Sequence, residues 1–271
     1  MKKRNPDKRI KFPKGISAGD RRWCRDIYNR LTRVIEPSNI VVACSGGVDS
    51  TVLAHMLSIT RNINKLTFKR FTFGIAHINH QLRPPEETLA DEAFIAQLAQ
   101  ELNCDMCIKR VVVVTKGEGI QAAAREARYR ALNWIISERF VVDRDYHDPL
   151  EPAPQVMLAH TIDDLIETRL FQFITGRALM QSTSLTSSYL SGNRSGTCVY
   201  PRRVTFNRPF FRLNITRADV ERYAAIWNLK WVEDSTNAHD DYTRNRIRHH
   251  LIPWIKENVN PGVLKTLSRN M

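Results

Sequence analysis

Six consecutive residues, Ser45-Gly46-Gly47-Val48-Asp49-Ser50, put two glycines, two hydroxyls and a carboxylate between an apolar run and a helix-forming run. Residues 40–44 are short, apolar and rich in β-branched side chains, the pattern of a buried strand. Residues 51–57 read as a helix. A strand, a glycine turn and a helix start make an anion site. Glycine lets the backbone turn sharply and lets a ligand approach its N–H groups. The helix start adds unpaired donors and partial positive charge. Ser45 and Ser50 contribute hydroxyls, and Val48 supplies a further backbone N–H. Asp49 cannot bind phosphate itself, so it points to a metal ion shared with the phosphates. The motif is not the Gly-x-x-x-x-Gly-Lys-Ser/Thr P-loop, because the lysine is missing and the spacing differs.

A second group is His160-Thr161-Ile162-Asp163-Asp164-Leu165-Ile166-Glu167-Thr168. His160 falls at the end of a predicted strand, and Asp163, Asp164 and Glu167 in the first turns of the next helix. Like charges at i,i+3 and i,i+4 cost on the order of 0.2–0.5 kcal/mol each, offset in part by the helix dipole. An acidic cluster that local electrostatics disfavours is a candidate for binding metal or amine, or for proton transfer.

Arginines form the third group. Arg125 and Arg128 lie i,i+3 on an alanine-rich helix, so both can point at one anion. Arg244, Arg246 and Arg248, with His249 and His250, form a dense cationic patch suited to phosphate contact.

The elements that must position these groups alternate between strand and helix. A helix capped by Ser17 and Asp20 should run to about residue 35, with Trp23, Ile27, Leu31 and Val34 inward. Strands are predicted over 40–44, 71–80, 105–114 and 155–160. Helices are predicted after Asp49 and over 87–102 (Ala93, Phe94, Leu98 and Leu102 inward), 120–139 and from 163. The expected fold is therefore α/β, a doubly wound and mainly parallel sheet with helices on both faces. Ligands then bind at the carboxyl ends of the strands, where Ser45 to Ser50 lies. Thr216 and Asp219 cap a helix to Trp227, residues 229–232 are extended, and a last helix over 244–257 is kinked near Pro253. This divides the chain into a basic arm and leading helix (1–39), a nucleotide-binding domain (40–205) and a short, mostly α-helical piece (206–271). Residues 141–155, with three prolines, read as a surface loop, and 175–203 as a loop without clear periodicity.

Composition bounds the reading. A chain of 271 residues, 42% hydrophobic and 25% charged, can hold one sizeable α/β domain. Lys+Arg of 41 against Asp+Glu of 28 gives +13, which favours a polyanionic partner, nucleic acid first. Five scattered cysteines argue against a disulfide scaffold and for a reducing compartment. The basic start lacks the apolar core of a secretory signal, and no stretch matches a membrane span, so a cytoplasmic protein without membrane contact is expected.

Ser-Gly-Gly-Val-Asp-Ser resembles the motif of the PP-loop ATP pyrophosphatases (adenine nucleotide alpha hydrolase-like), which cleave ATP between the α and β phosphates and adenylate a substrate. With His-x-x-Asp-Asp-x-x-Glu-Thr, the sequence is similar to the tRNA(Ile)-lysidine synthetase family. Residues 76–83 with 90–94, Ala123-Ala124-Arg125-Glu126-Ala127-Arg128-Tyr129, and Asp234-Ser235-Thr236-Asn237 with 244–249 support the likeness, which runs from about residue 40 to 261.

The resemblance implies a two-step ligase. ATP activates the C2 oxygen of the wobble cytidine in an isoleucine tRNA with a CAU anticodon, and pyrophosphate leaves. The ε-amine of free L-lysine then attacks, AMP leaves, and lysidine forms. Ser45, Gly46, Gly47, Val48 and Ser50 would hold ATP, and Asp49 would position Mg²⁺. Asp163, Asp164 and Glu167 would hold the lysine ammonium or take its proton, with His160 a second candidate for proton transfer. Arg125, Arg128, Arg244, Arg246 and Arg248 would meet tRNA. A homodimer is compatible with this reading.

Three features depart from the family: the 141–155 insertion, the unpatterned segment after Gly176, and an end without the extra carboxyl-terminal domains of longer members. Grip on tRNA is then expected from the core and the helical piece. Rival readings are a PP-loop tRNA thiolase, suggested by Cys104-Asp105-Met106-Cys107, and a non-catalytic ATP- or tRNA-binding module.

Overall fold

In the computed structural model the apolar run after Asn39 forms β1 (Ile40–Ala43), and it lies at the centre of a six-stranded sheet. The structure describes residues 10–63, 72–115, 117, 119–140, 153–176, 188–190, 204–233 and 243–269. The other strands are β2 (Phe73–Asn79), β3 (Asp105–Arg110), β4 (Gln155–Met157), β5 (Ser188–Leu190) and β6 (Thr205–Asn207). Their order is β3-β2-β1-β4-β6-β5. All neighbours pair parallel except β5, which runs antiparallel to β6 at the edge.

That order places the functional loops. The chain steps outward from β1 to β2 and β3, then crosses back to β4 on the other side of β1. The crevice between the carboxyl ends of β1 and β4 is the switch point where such sheets bind ligands. Val42 pairs with Met157, so continuing the register brings Ser45 level with His160.

Helices cover both faces, as expected. α1 (Ala18–Val34), α2 (Val48–Ile63), α3 (Pro85–Glu101), α6 (Pro209–Leu213) and α7 (Arg217–Trp227) pack on one side. Leu31, Val52, Met56, Ile95 and Val220 meet Ile40, Val42, Ile75 and Met157 there. α4 (Ile120–Arg139) covers the other side, where Leu132, Ile135 and Ile136 meet Val41, Ala76, Val156 and Phe206. Adjacent strand residues thus serve opposite cores. Each fully buried aliphatic side chain contributes about 1.5–3 kcal/mol. α5 (Ile162–Ile174) packs through Ile162, Leu165 and Ile166 against Ile247 and Ile252 of the closing segment, which comprises α8 (Thr243–Arg246), a π-helical turn (Ile247–Leu251), α9 (Ile252–Asn258) and α10 (Val263–Arg269).

Several sequence expectations need correction. The third strand ends at Arg110, because β2 leaves the ladder after Asn79, and the alternating Val112 and Val114 are exposed. In α1 the buried face is Cys24, Ile27, Tyr28 and Leu31, with Trp23 and Val34 only half-buried. In α3 it is Asp91, Ile95, Leu98 and Ala99, while Ala93 faces solvent. The fourth strand stops at Met157, and Leu158 extends it by one bond to the Asn207 carbonyl at 2.8 Å. β6 escaped the sequence reading, being only three residues long. The proposed boundary at 205/206 falls inside it. The closing helix breaks at the π turn ahead of Pro253. Among the described residues no helix is long and apolar enough to cross a membrane. Residues 141–152, most of 175–203, and Asp234-Ser235-Thr236-Asn237 lie outside the described residues.

Candidate active site

The turn between β1 and α2 is built as its sequence demands. Gly46 has φ +96°, a conformation that L side chains rarely adopt. Its carbonyl accepts from the Val232 N–H at 3.0 Å and the Thr51 hydroxyl at 3.2 Å, which fixes the turn against the stretch after α7. Ser50 is buried and braces the loop from within: its Oγ accepts from the Ser45 N–H at 3.2 Å and donates to the Gly47 carbonyl at 3.0 Å. The Ser45 hydroxyl lies at the rim, with the Gly47 N–H at 3.4 Å. Val48 opens α2, and the first amides of a helix have no intrahelical partner, so the loop and helix start present donors to an anion.

Asp49 sits just inside α2. One carboxylate oxygen, Oδ2, pairs with the Arg217 guanidinium. The other, Oδ1, is buried and has no partner among the described residues. Burial pushes its carboxyl up to about 6, against the pull of Arg217, and Asp164 and Asp163 add to the upward push. A buried, unpartnered anionic oxygen beside an anion cradle suits a hard divalent cation. Such a cation needs only one or two protein carboxylates when phosphates and water complete its shell. Among the described residues no three His, Cys, Asp or Glu side chains group to hold a metal by themselves.

Across the crevice, Thr161 caps α5 in a reciprocal capping box with Asp164. Asp164 Oδ2 accepts from the Thr161 N–H at 2.7 Å, and Oδ1 from Arg248 at 3.3 Å. Asp163 Oδ2 accepts from the Arg217 N–H at 2.8 Å, so it caps α7. Glu167, 4% exposed, is held by Arg248 in a two-pronged pair at 2.6 and 2.8 Å. Burial raises the Glu167 carboxyl while Arg248 draws it back down. The acidic trio therefore splits: Asp164 faces the cavity, whereas Asp163 and Glu167 do not line it.

The cavity itself measures about 600 Å³. Ser45, Gly47, Asp49 and Ser50 form one wall and His160 and Asp164 another, with Arg125, Arg128 and Tyr129 of α4 also lining it. A second cavity of about 460 Å³ adjoins it at Ser45, Gly47, Asp49 and Arg217, and is closed by Val48, Trp231, Val232 and Glu233. Arg125 lies over the Tyr129 ring at 5.1 Å. Arg128 keeps an exposed edge, yet partial desolvation of its guanidinium lowers its pKa, and its Nε approaches His80 Nε2 at 3.4 Å. Arg248 lines the first cavity, but Arg246 is exposed and donates to Thr243 Oγ1 at 3.2 Å. The Arg244 side chain lies outside the described residues.

His160 lines the cavity with its Nδ1 accepting from Arg208 Nε at 3.2 Å. Burial first, then Arg208, Arg125 and Arg128, lower its pKa to about 4, with Asp164 opposing. It is neutral at neutral pH. Expected proton transfer by His160 thus meets an imidazole that is a weak base with one nitrogen already taken.

Arg217 at the cavity wall and Arg208 behind it escaped the sequence reading, and Arg83 and Asp91, noted there only within the 76–83 and 90–94 stretches, form an ion pair at the wall. Arg217 carried a faint signal, since it stands at the first helical position after the Thr216 cap. Arg208 had none beyond the following proline.

Cys104 and Cys107 pack into opposite cores, one against the α1–α2–α3 side and one against the α4 side. Both are free thiols with pKa values raised by burial, Cys104 to about 11. They do not share a face on which an iron–sulfur cluster could form.

Comparison with known proteins agrees with this geometry. A family model described as a PP-loop domain matches residues 23–255. A tRNA(Ile)-lysidine synthase from Persephonella marina is 31% identical over 251 residues, covering 90% of this chain and 47% of its own length. One from Thermotoga maritima is 31% identical over 232 residues, covering 84% of this chain and 47% of its own length. The chain spans about half the length of the curated relatives it matches. Among solved structures, the U34-tRNA thiolase NcsA from Methanococcus maripaludis, with its 4Fe-4S cluster, superposes with a TM-score of 0.61 at 15% identity, covering 91% of this chain and 77% of that one. At that identity the likeness is one of fold.

Proposed function

The chain belongs to the PP-loop domain family, and from that premise we propose that it is an ATP-dependent ligase. It joins free L-lysine to C2 of the wobble cytidine of an isoleucine tRNA with a CAU anticodon, and AMP and pyrophosphate leave. The observation that carries this reading is the crevice between β1 and β4. An anion cradle with a partnerless carboxylate oxygen at Asp49 faces Asp164 and His160 across a cavity large enough for a nucleotide. The names of the relatives that match most of the chain support the choice of lysine and tRNA.

The residues divide the work. Ser45, Gly46, Gly47 and Val48 hold the ATP phosphates, while Ser50 keeps the turn closed. Asp49 would hold Mg²⁺, whose charge would offset that on the departing pyrophosphate. The amine of lysine must be neutral to attack. Asp164, the carboxylate that opens into the cavity, holds the ammonium and accepts its proton. Asp163 and Glu167 act one step removed, Asp163 by capping α7 and Glu167 by holding Arg248. Arg125 and Arg128 meet the tRNA or nucleotide phosphates, and the arginines around 244–248 extend that contact. The net charge of +13 suits a polyanionic partner. A cytoplasmic site of action and a homodimer fit this reading.

The thiolase reading is disfavoured by Cys104 and Cys107, which face opposite cores. Pyrophosphate release from ATP tests the class: it should require both magnesium and the CAU-bearing isoleucine tRNA. Release that is indifferent to tRNA would refute the proposal, and no release with any tRNA would point to a binding module.

A further inference from the structure

Arg208 follows β6 and is 2% exposed, so it is a cation inside the protein. Among the described residues its guanidinium reaches two polar groups near the cavity. Nε lies 3.2 Å from His160 Nδ1, and Nη2 lies 3.0 Å from the Tyr129 hydroxyl. A guanidinium has donors only. His160 Nδ1 is therefore the acceptor, and the proton of the neutral ring is on Nε2. Arg208 does not line the cavity, whereas His160 does. The ring edge that remains for the cavity is thus the one bearing Nε2–H.

We infer that Arg208 is a positioning residue which fixes His160 in the Nε2–H tautomer, so that His160 meets the bound nucleotide as a hydrogen-bond donor and not as a base. The acceptor is an oxygen on the reacting nucleotide, phosphoryl or pyrimidine carbonyl. A donor held in place before charge develops there is worth most where water is excluded.

The surroundings of the ring agree. Burial foremost, and then Arg208 itself with Arg125 and Arg128 on α4, oppose a second ring proton, while Asp164 on α5 pulls the other way. The Phe211 ring of α6 lies 6.2 Å from the imidazole. The arrangement also explains a buried arginine for which the nucleotide loop has no use. Tyr129 is the second anchor: it receives Arg208 and packs on Phe206 of β6 at 4.9 Å. Arg208 is thus locked in place by the core of the sheet.

This inference rests on the ligase reading for its acceptor, but its first test does not. In the full chain labelled with ¹⁵N-histidine, His160 is assigned by the resonances lost in His160→Gln. The proton should be on Nε2, with Nδ1 bare, across a window of about one pH unit either side of the ordinary histidine value of about 6.5. A proton on Nδ1, or an imidazolium within that window, overturns the inference whatever the substrate.

The second test reads pyrophosphate release, or any other turnover the protein shows with ATP. His160→Gln places an N–H near the Nε2 position and His160→Asn does not, while neither side chain is a base. The glutamine variant should stay within about tenfold of wild type and the asparagine variant should fall about 10²–10³-fold. Equal losses overturn the donor role. Arg208→Leu should mix the tautomers and lower kcat by about 10²-fold with the Kd for ATP unchanged, and Arg208→Gln, which keeps an N–H, should recover most of it. A change in turnover without a change in tautomer would show a merely structural role.

Discussion

Asp49 and Arg217 form an ion pair where the two cavities meet, although 168 residues separate them in sequence. Arg217 is held at both ends, because its backbone N–H bonds Asp163 while its guanidinium takes Asp49 Oδ2. It leaves Asp49 Oδ1 without a partner among the described residues. The pair thus orients the carboxylate that the proposed chemistry needs without saturating it.

Arg217→Ala should shift the acid limb of activity. Asp49 must be ionised to hold a cation, and its carboxyl titrates at about 6 with Arg217 pulling it down. Activity is therefore lost as pH falls through about 6 in the wild type. Without Arg217 that loss should begin at higher pH. A pH profile of pyrophosphate release checks it, and an unmoved acid limb contradicts it.

Asp49→Asn should remove turnover and stabilise the unliganded protein. A carboxyl raised from 3.8 to about 6 by folding weighs against the folded state wherever it is ionised. The gain should be on the order of 2–3 kcal/mol above pH ~6, shrinking as pH falls toward ~4. Denaturant melts at two pH values measure it, and equal gains at both would contradict the buried charge.

Arg248→Ala leaves the carboxylate of Glu167 buried and alone. Loss of about 2–4 kcal/mol is expected near neutral pH, somewhat under the full figure for a buried pair because Arg248 is partly exposed. The burial-raised Glu167 carboxyl takes up a proton as pH falls. The penalty should shrink in acid. A penalty constant with pH would mean that packing, and not charge, carries it.

Replacing Cys104 and Cys107 together with alanine should leave turnover within about threefold and bind no iron, since burial alone accounts for both thiols. Loss of activity together with loss of a metal chromophore would revive the thiolase.

What the sequence made legible was local. The Ser45 to Ser50 turn, the Ser17–Asp20 and Thr216–Asp219 caps, and the parallel order of strands and helices follow from neighbours in the chain. The division of labour among the carboxylates did not. Asp163, Asp164 and Glu167 look alike in sequence, and only the arrival of Arg217 and Arg248 from 54 and 81 residues away separates a cap, a cavity-facing group and a buried ion pair. Arg208 was opaque for the same reason, because its partners His160 and Tyr129 come from the end of β4 and from α4. β6 was missed because three residues carry too little alternation to read.

The central claim is lysine transfer, and the most direct measurement follows labelled lysine. The purified protein is incubated with ATP, Mg²⁺, labelled L-lysine and isoleucine tRNA bearing CAU, and the digested tRNA is read by mass spectrometry. Label on the wobble cytidine, absent from methionine tRNA with the same anticodon, is the predicted result. AMP released with no lysine on the cytidine would keep the ATP chemistry and contradict the assigned nucleophile.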